Sequence, residues 1–282
     1  MAKILALINM KGGVGKSTLS VNLAYKYAAN TVWSKNVLLV DLDPQFNASQ
    51  YALGFETYKT KIVAKDTPTV WNVFEQRTRT PGGGAPKEVD PAEALVNIRK
   101  FPAGNRLDVL TSRLELAWAL KQPAGKERAL AKFLAKVQKD YDLIVIDCAP
   151  TESVLTTAAY LASDYILVPV KPEYLSTIGL PLLAKSLEEF HADNEDHNVE
   201  IAGVVFNHTT AYEPEEATSK REVRAEAATH GWHVFDEEIS YSRSYPKGAR
   251  EGRPIFWTSN AHTSQKAKFH VFAVALAGRI GL

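Results

Sequence analysis

The stretch MKGGVGKST at residues 10–18 decides the fold of this chain. The apolar run at residues 4–8 predicts a buried strand before it, and residues 19–25 predict the first turns of a helix after it. A glycine-rich loop between a strand and a helix is typical of phosphate binding, because glycines let the backbone turn its N–H groups toward an anion. The positive end of the following helix adds to that attraction.

The residue types in this loop predict nucleotide chemistry. Lys16 can reach the β- and γ-phosphates, and the hydroxyl of Ser17 can bind Mg²⁺. The pattern departs from the ordinary G-x-x-x-x-G-K-[ST] motif, because Met10 takes the place of the first glycine and a second lysine, Lys11, follows it. We therefore expect a nucleotide and Mg²⁺ as cofactors.

Size and composition indicate one large α/β domain over residues 1–282, with two domains as the weaker alternative. The chain has 282 residues, of which 45% are hydrophobic and 23% are charged. Its formal net charge is +1, so nucleic-acid binding would need a local basic patch or a dimer. The single cysteine, Cys148, excludes an internal disulfide framework and a cysteine-held zinc or iron–sulfur site.

The sequence also predicts where the protein resides. We expect a cytoplasmic protein, because no charged segment followed by an apolar one precedes the first strand, and a lone cysteine is consistent with a reducing compartment. No apolar run approaches the length of a membrane span. Residues 80–86 are rich in glycine and proline, which predicts a surface loop.

Two further predicted strands end in acidic residues. The strand at residues 36–40 ends in Asp41 and Asp43, and the apolar run at residues 143–146 ends in Asp147. Ligands of open α/β sheets lie at the carboxyl ends of strands, so these acids should meet the loop. We predict Mg²⁺ binding by Ser17, Asp41 and Asp147, with a solvated turn as the alternative for Asp41 and Asp43.

Three motifs together resemble the ParA/MinD family of ATPases, and its ParA branch in particular. They are K-G-G-V-G-K-S at residues 11–17, D-L-D-P-Q at 41–45 and I-V-I-D-C-A-P at 144–150. The segments at residues 173–180 and 239–255 also resemble ParA proteins, so the likeness covers nearly the whole chain. Phe46 and Ser240 stand where that branch has glycine and proline.

The resemblance implies a doubly wound, largely parallel α/β sheet with helices on both faces. It also implies three catalytic residues: Lys16, Asp43, which would activate the hydrolytic water, and Lys11, which would reach the phosphates of a partner subunit. Asn207 would recognise adenine, and the nucleotide would therefore be ATP. The expected ATP contacts are Lys11, Gly12, Gly13, Val14, Gly15, Lys16, Ser17, Thr18 and Asn207.

The function implied by the resemblance is a slow, Mg²⁺-dependent ATPase switch for plasmid or chromosome partition. Its ATP-bound homodimer would bind DNA without sequence preference on the nucleoid, and a ParB-like partner would stimulate hydrolysis. No helix-turn-helix segment precedes the first strand, so operator binding is not expected. The alternatives are a ParA-like ATPase for another cargo and a MinD-like membrane regulator. The apolar, poorly basic segment at residues 266–280 disfavours stable membrane association.

Basic residues in two C-terminal segments are candidates for DNA contact, because cationic side chains bind phosphate backbones in a salt-sensitive way. Residues 213–230 predict a charged helix, and residues 239–255 carry a single acid among several basic residues. An ordinary solvated face is the alternative for both segments. The candidates are Lys220, Arg221, Arg224, Arg243, Lys247, Arg250 and Arg253.

Overall fold

The structure is a computed structural model that describes residues 1–75, 88–173, 179–210, 214–258 and 261–282. The predicted loop at residues 80–86 lies outside the described residues, and so do residues 174–178 of the segment that resembles ParA proteins.

A mixed, mostly parallel sheet forms the centre of the molecule. The described residues contribute eight strands in the order β3-β4-β2-β5-β1-β6-β7-β8, and only β3 runs antiparallel to its neighbour. The prediction of a largely parallel sheet is therefore confirmed. The strands are β1 (Lys3–Leu7), β2 (Val37–Leu42), β3 (Leu95–Lys100), β4 (Arg106–Leu110), β5 (Leu143–Cys148), β6 (Tyr165–Val170), β7 (Glu200–Thr209) and β8 (Ile239–Ser240).

Helices connect the strands and cover the sheet. None of the helices in the described ranges is long and apolar enough to cross a membrane. The α-helices are α1 (Lys16–Ala29), α2 (Asn47–Leu53), α3 (Phe55–Tyr58), α4 (Val70–Glu75), α5 (Pro91–Ala94), α6 (Ala129–Val137), α7 (Val154–Ala162), α8 (Gly179–Asp193), α9 (Pro214–Thr229), α10 (Ser244–Glu251) and α11 (Thr263–Ile280). The other helical segments are the π-helix Lys59–Val63 and the 3₁₀-helices Leu114–Leu120, Gln138–Asp140 and Ile255–Trp257.

Two hydrophobic cores lie on opposite faces of the sheet. In β1, Ile4 and Ala6 belong to one core, and Leu5 and Leu7 belong to the other, because successive side chains of a strand alternate between faces. The first core packs against α4, α6, α7 and α8, and the second packs against α1, α2 and α11. Helices on both faces confirm the doubly wound architecture.

Three features appear only in the structure. Residues 114–120 form a 3₁₀-helix, and β7 continues to Thr209, so Asn207 lies inside a strand. The sequence analysis identified no strand between residues 55 and 105, yet these residues contain the edge strand β3. The side chains of β3 are mostly half-buried or exposed, which explains why no apolar run marks it.

Helix α10 is fixed tightly against α1 and α2. A Cβ atom on Gly248 would lie 2.5 Å from the carbonyl oxygen of Arg253 and 3.1 Å from the hydroxyl of Tyr51. That hydroxyl accepts a hydrogen bond of 2.9 Å from Asn22, whose side-chain oxygen accepts another of 2.7 Å from the backbone of Ile255. The close approach at Gly248 and this hydrogen-bond chain set the position of α10.

Two helical glycines give a matched test of this close packing. We expect Gly248→Ala to destabilise the protein by about 1–3 kcal/mol, because backbone atoms of a packed turn must move to admit the methyl group. Gly278→Ala should stabilise it by roughly 0.5–1 kcal/mol, because that glycine lies in α11 with open space around it. Urea unfolding followed by circular dichroism measures both. If both substitutions changed the free energy of unfolding in the same direction, the close packing at Gly248 would be contradicted.

Candidate nucleotide site

The loop at residues 10–18 lies at the carboxyl edge of the sheet and forms one wall of a cavity of about 610 Å³. It leaves β1 and leads directly into α1, as the sequence predicts. Asp43, Pro150, the start of α2 and the end of α10 form the other walls. A cavity of this size and position is typical of small-molecule sites in open α/β folds.

Two glycines of the loop adopt left-handed backbone conformations. Gly13 has φ of 76° and Gly15 has φ of 89°, and side chains are disfavoured in that region. A Cβ atom on Gly15 would also collide with the side-chain amide of Asn207. This amide donates a hydrogen bond of 2.7 Å to the carbonyl oxygen of Val14. Asn207 therefore holds the loop against β7. Its contact with adenine stays a prediction.

Lys16 is buried among backbone carbonyls at the base of the loop. Its ammonium group donates to the carbonyl oxygens of Asn9 and Lys11, at 2.9 and 3.0 Å. Burial lowers the pKa of Lys16, and the negative charges of Asp147 and Asp43 oppose that shift. The lysine thus lies between the loop and the acids, and its contact with the phosphates stays a prediction.

Asn9 was missed by the sequence analysis, although it joins the loop to the neighbouring strand. Its side chain donates to the carbonyl oxygen of Pro169 in β6, at 2.8 Å, and accepts from the backbone N–H of Lys11, also at 2.8 Å. The one signal in the sequence is a polar residue directly after an apolar strand.

Asp41 and Asp147 are neighbours in adjacent parallel strands, and both are fully buried. Asp147 accepts a hydrogen bond of 3.1 Å from Ser20 through Oδ1, whereas its Oδ2 has no hydrogen-bond partner in the described part of the chain. Burial raises the pKa of Asp147, the charge of Asp41 adds to the effect, and Ser17 opposes it. A cation beside Oδ2 would stabilise the ionised form of this carboxyl.

Asp41 uses both of its oxygens within the chain. Oδ2 accepts hydrogen bonds from the backbone and the hydroxyl of Ser49, each of 2.7 Å, and Oδ1 accepts one of 3.1 Å from the backbone of Asp43. Burial raises the pKa of Asp41, and the hydrogen bonds from Ser49 oppose that shift. Asp41 therefore joins β2 to α2 and orients the segment that carries Asp43. Its role as a magnesium ligand stays a prediction.

Asp43 faces the cavity across from the glycine loop. It is largely buried, and its carboxylate accepts a hydrogen bond of 2.8 Å from the backbone of Gln45. This position beside the loop suits a group that orients water near a phosphate, and its catalytic role stays a prediction.

The acidic residues fit a magnesium ion that is shared with a nucleotide. Among the described residues, no cluster of three His, Cys, Asp or Glu side chains could hold a metal ion without another ligand. Mg²⁺ is usually held by one or two carboxylates together with phosphate oxygens and water. The unpartnered Oδ2 of Asp147 and the nearby hydroxyl of Ser17 match that requirement.

Lys11 forms an ion pair with a residue that is distant in sequence. Its ammonium group lies 2.5 Å from Oε1 of Glu173, and Oε2 of Glu173 lies 2.7 Å from Lys171. Hydrogen bonds from the two lysines lower the pKa of Glu173. Lys11 is thereby tied to the segment that follows β6.

Phe46 occupies the position of a glycine in ParA proteins and keeps a glycine-like conformation. Its φ is 45°, in the left-handed region. Its ring stacks on Tyr58, with centroids 5.3 Å apart and planes 9° apart, and the hydroxyl of Tyr58 donates to the carbonyl oxygen of Ser112. Stacking of this kind contributes about 0.5–1.5 kcal/mol, which offsets part of the backbone strain.

The DNA-contact residues predicted in residues 239–255 separate into three groups. Arg243 and Lys247 line a second cavity of about 420 Å³, together with His262, between the starts of α10 and α11. Arg250 instead lines the cavity at the glycine loop. Arg253 is exposed and lines neither of these cavities.

The basic residues of α9 are mostly engaged within the protein. Lys220 lies 2.8 Å from Glu216 and 2.6 Å from Glu238, so two carboxylates neutralise its charge. The guanidinium of Arg224 lies over the ring of Phe206, 5.3 Å from its centroid. Arg221 is exposed and donates to the hydroxyl of Thr218. DNA contact by α9 stays a prediction, with Arg221 its most accessible cation.

Known proteins share both the sequence pattern and the fold. A family model described as an AAA domain, AAA_31, matches residues 2–201. The chromosome-partitioning ATPase Soj of Treponema pallidum is 30% identical over 271 residues, which cover 89% of this chain and 97% of Soj.

Two solved structures extend the comparison to the fold. A Cyanothece McdA variant in complex with ATP has a TM-score of 0.77 at 18% identity, covering 100% of this chain and 97% of its own. A cobyrinic acid a,c-diamide synthase of Mycobacterium smegmatis with bound ADP and magnesium has a TM-score of 0.65 at 27% identity. That match covers 89% of this chain and 92% of the synthase.

The strained conformation at Phe46 can be tested by paired substitutions. We expect Phe46→Ala to be less stable than Phe46→Gly by about 1–2 kcal/mol, because alanine keeps the left-handed strain and lacks the stacked ring. Urea unfolding measures the difference. Phe55→Ala is the control: that ring is 62% exposed, so its removal should change stability by less than about 0.5 kcal/mol. Equal stability of the alanine and glycine variants would contradict the strain.

Proposed function

Because the chain belongs to the ParA-type P-loop ATPases, we propose that it is an ATP-driven switch that partitions a plasmid or a chromosome. The observation that carries this proposal is one cavity lined by the glycine loop, Lys16 and Asp43. The buried carboxyl of Asp147 lies behind this lining, close enough for its charge to act on Lys16. The whole chain, residues 1–282, acts as a single ATPase domain in this proposal.

ATP binds with its phosphates against the loop and α1. The backbone N–H groups of residues 12–18 and the ammonium group of Lys16 neutralise the phosphates, and Ser17 and Asp147 hold Mg²⁺. When held there, Mg²⁺ would supply positive charge against the negative charge that develops on the phosphates during transfer. Asp43 orients the attacking water, and Asp41 holds the backbone of Asp43 in place.

Two subunits close over their nucleotides, and Lys11 of each one contacts the phosphates of the other. To do so, Lys11 must leave Glu173. Lys171 also pairs with Glu173, so a positive charge stays beside that carboxylate after Lys11 moves. Because Lys171 keeps the Glu173 carboxylate paired, less free energy is needed to release Lys11. Lys11 then supplies positive charge in the transition state, where hydrolysis needs it.

Substitutions of Lys16 and Asp43 separate nucleotide binding from hydrolysis. We expect Lys16→Ala to lose ATP binding by calorimetry, because the main cation at the phosphates is gone. Asp43→Ala should bind ATP and lose hydrolysis by on the order of 10²-fold, because the water is no longer oriented. Asp140→Ala, at the opposite end of β5, is the control and should match wild type. Normal ATP affinity in Lys16→Ala, or normal phosphate release in Asp43→Ala, would contradict these roles.

The DNA surface of the ATP-bound dimer is formed by Arg243 and Lys247. Both side chains line the second cavity near the starts of α10 and α11, so they are close enough to contact neighbouring phosphates of one strand. Binding through such contacts is independent of sequence and weakens as salt is added, because counterions are released from the DNA. Association with the nucleoid follows from this surface.

Binding of random-sequence duplex DNA to the Asp43→Ala protein tests this surface at two salt concentrations. We expect binding with ATP and little with ADP or without nucleotide. Arg243→Ala with Lys247→Ala should weaken binding and reduce the salt slope by about one unit for each DNA phosphate that is no longer neutralised. Lys185→Ala, which removes an exposed lysine on α8, is the control. Unchanged DNA affinity in the double variant would remove this surface from the proposal.

A ParB-like partner stimulates hydrolysis and ends the DNA-bound phase. If the ATP-bound protein dimerises but binds no DNA, pelleting with liposomes would distinguish a membrane-associated, MinD-like regulator from a partition protein. Stimulation of phosphate release by a DNA-bound partner would support plasmid or chromosome partition. Stimulation by a protein assembly without DNA would support another cargo.

A further inference from the structure

Arg250 lies in the nucleotide cavity, although the sequence suggested a DNA contact. It lies in α10 and lines the same cavity as Gly13, Lys16 and Asp43. The side chain is exposed, and it forms no hydrogen bond or ion pair with any residue that the structure describes. An arginine without a partner in a cavity built for anions is a candidate ligand-binding group.

The backbone that carries Arg250 is held rigidly. Gly248, two residues before it, is too close to Tyr51 and to the backbone of Arg253 to carry a side chain. Gly252 directly follows α10, and its carbonyl oxygen accepts a hydrogen bond of 3.4 Å from the hydroxyl of Tyr25 in α1. Because the helix is fixed on both sides, the guanidinium group loses less conformational freedom on binding than it would on a loop.

The charges around the cavity favour an anionic ligand for Arg250. Lys16, the other cation lining this cavity, is buried and already donates to two backbone carbonyls. Lys11 pairs with Glu173 in the segment that follows β6, and it does not line this cavity. A guanidinium presents several N–H donors in a plane, which matches the oxygens of a phosphate better than a single ammonium does.

We propose that Arg250 binds the polyphosphate of the nucleotide from the side opposite the glycine loop. The proposal rests on the ATP binding put forward above and adds a substrate-binding residue from α10. It also connects the nucleotide to the DNA surface, because Arg243 and Lys247 lie at the start of the same short helix. Arg250 is then a nucleotide contact, and it is removed from the set of DNA contacts.

The matched control is Arg253→Ala, because Arg253 is an exposed arginine of the same segment that does not line the cavity. We expect Arg250→Ala to weaken binding of fluorescent ATP and ADP with Mg²⁺ by on the order of tenfold or more, since a charge-assisted hydrogen bond is removed. Arg250→Lys should recover part of the affinity, and Arg253→Ala should stay within about twofold of wild type. Urea unfolding verifies that the exposed substitutions leave the fold intact.

DNA binding at saturating ATP, measured in the Asp43→Ala background, separates the two roles of Arg250. We expect Arg250→Ala to bind random-sequence DNA as its parent does once ATP saturates the site. Nucleotide affinity within about twofold of wild type in Arg250→Ala would overturn the proposal. Reduced DNA affinity in that case would return Arg250 to the DNA surface. Absence of ATP binding by the wild-type protein would overturn the proposed function itself, and this inference with it.

Discussion

Two buried carboxyl groups side by side are the constraint on which the site depends. Asp41 and Asp147 pair in register at the ends of β2 and β5, where burial and mutual repulsion disfavour charge on both. The two carboxyl groups differ in how their negative charge is stabilised. Asp41 receives three hydrogen bonds and orders the start of α2, whereas one oxygen of Asp147 has no hydrogen-bond partner among the residues that the structure describes. A cation beside that oxygen would stabilise the ionised form of Asp147.

The glycine loop depends on contacts from strands on both sides of it. Asn9 holds its start to β6, and Asn207 holds its centre to β7. Gly15 permits this contact because any side chain there would collide with Asn207. The loop is therefore shaped before any ligand arrives, which reduces the conformational entropy cost of binding phosphate.

Helix α10 connects two cavities of different character. Its end contributes Arg250 to the nucleotide cavity, and its start contributes Arg243 and Lys247 to the second one. Gly248 packs closely against Tyr51 in the middle of this short helix, so both cavities share one tightly packed element. A switch that binds DNA in one nucleotide state needs such a connection between its sites.

The local signals of the sequence determined the glycine loop, the acids at the ends of β2 and β5, and the doubly wound sheet. These features depend on spacing and on apolar runs, which neighbouring residues specify. The sequence did not predict the edge strand β3, because its half-exposed residues form no apolar run. Only the tertiary structure decided the partners of the charged residues. Lys11 meets Glu173 across 162 residues, Lys220 is neutralised by Glu238, and Arg250 lies beside the loop. Such contacts depend on the order of strands and the packing of helices, which no local pattern encodes.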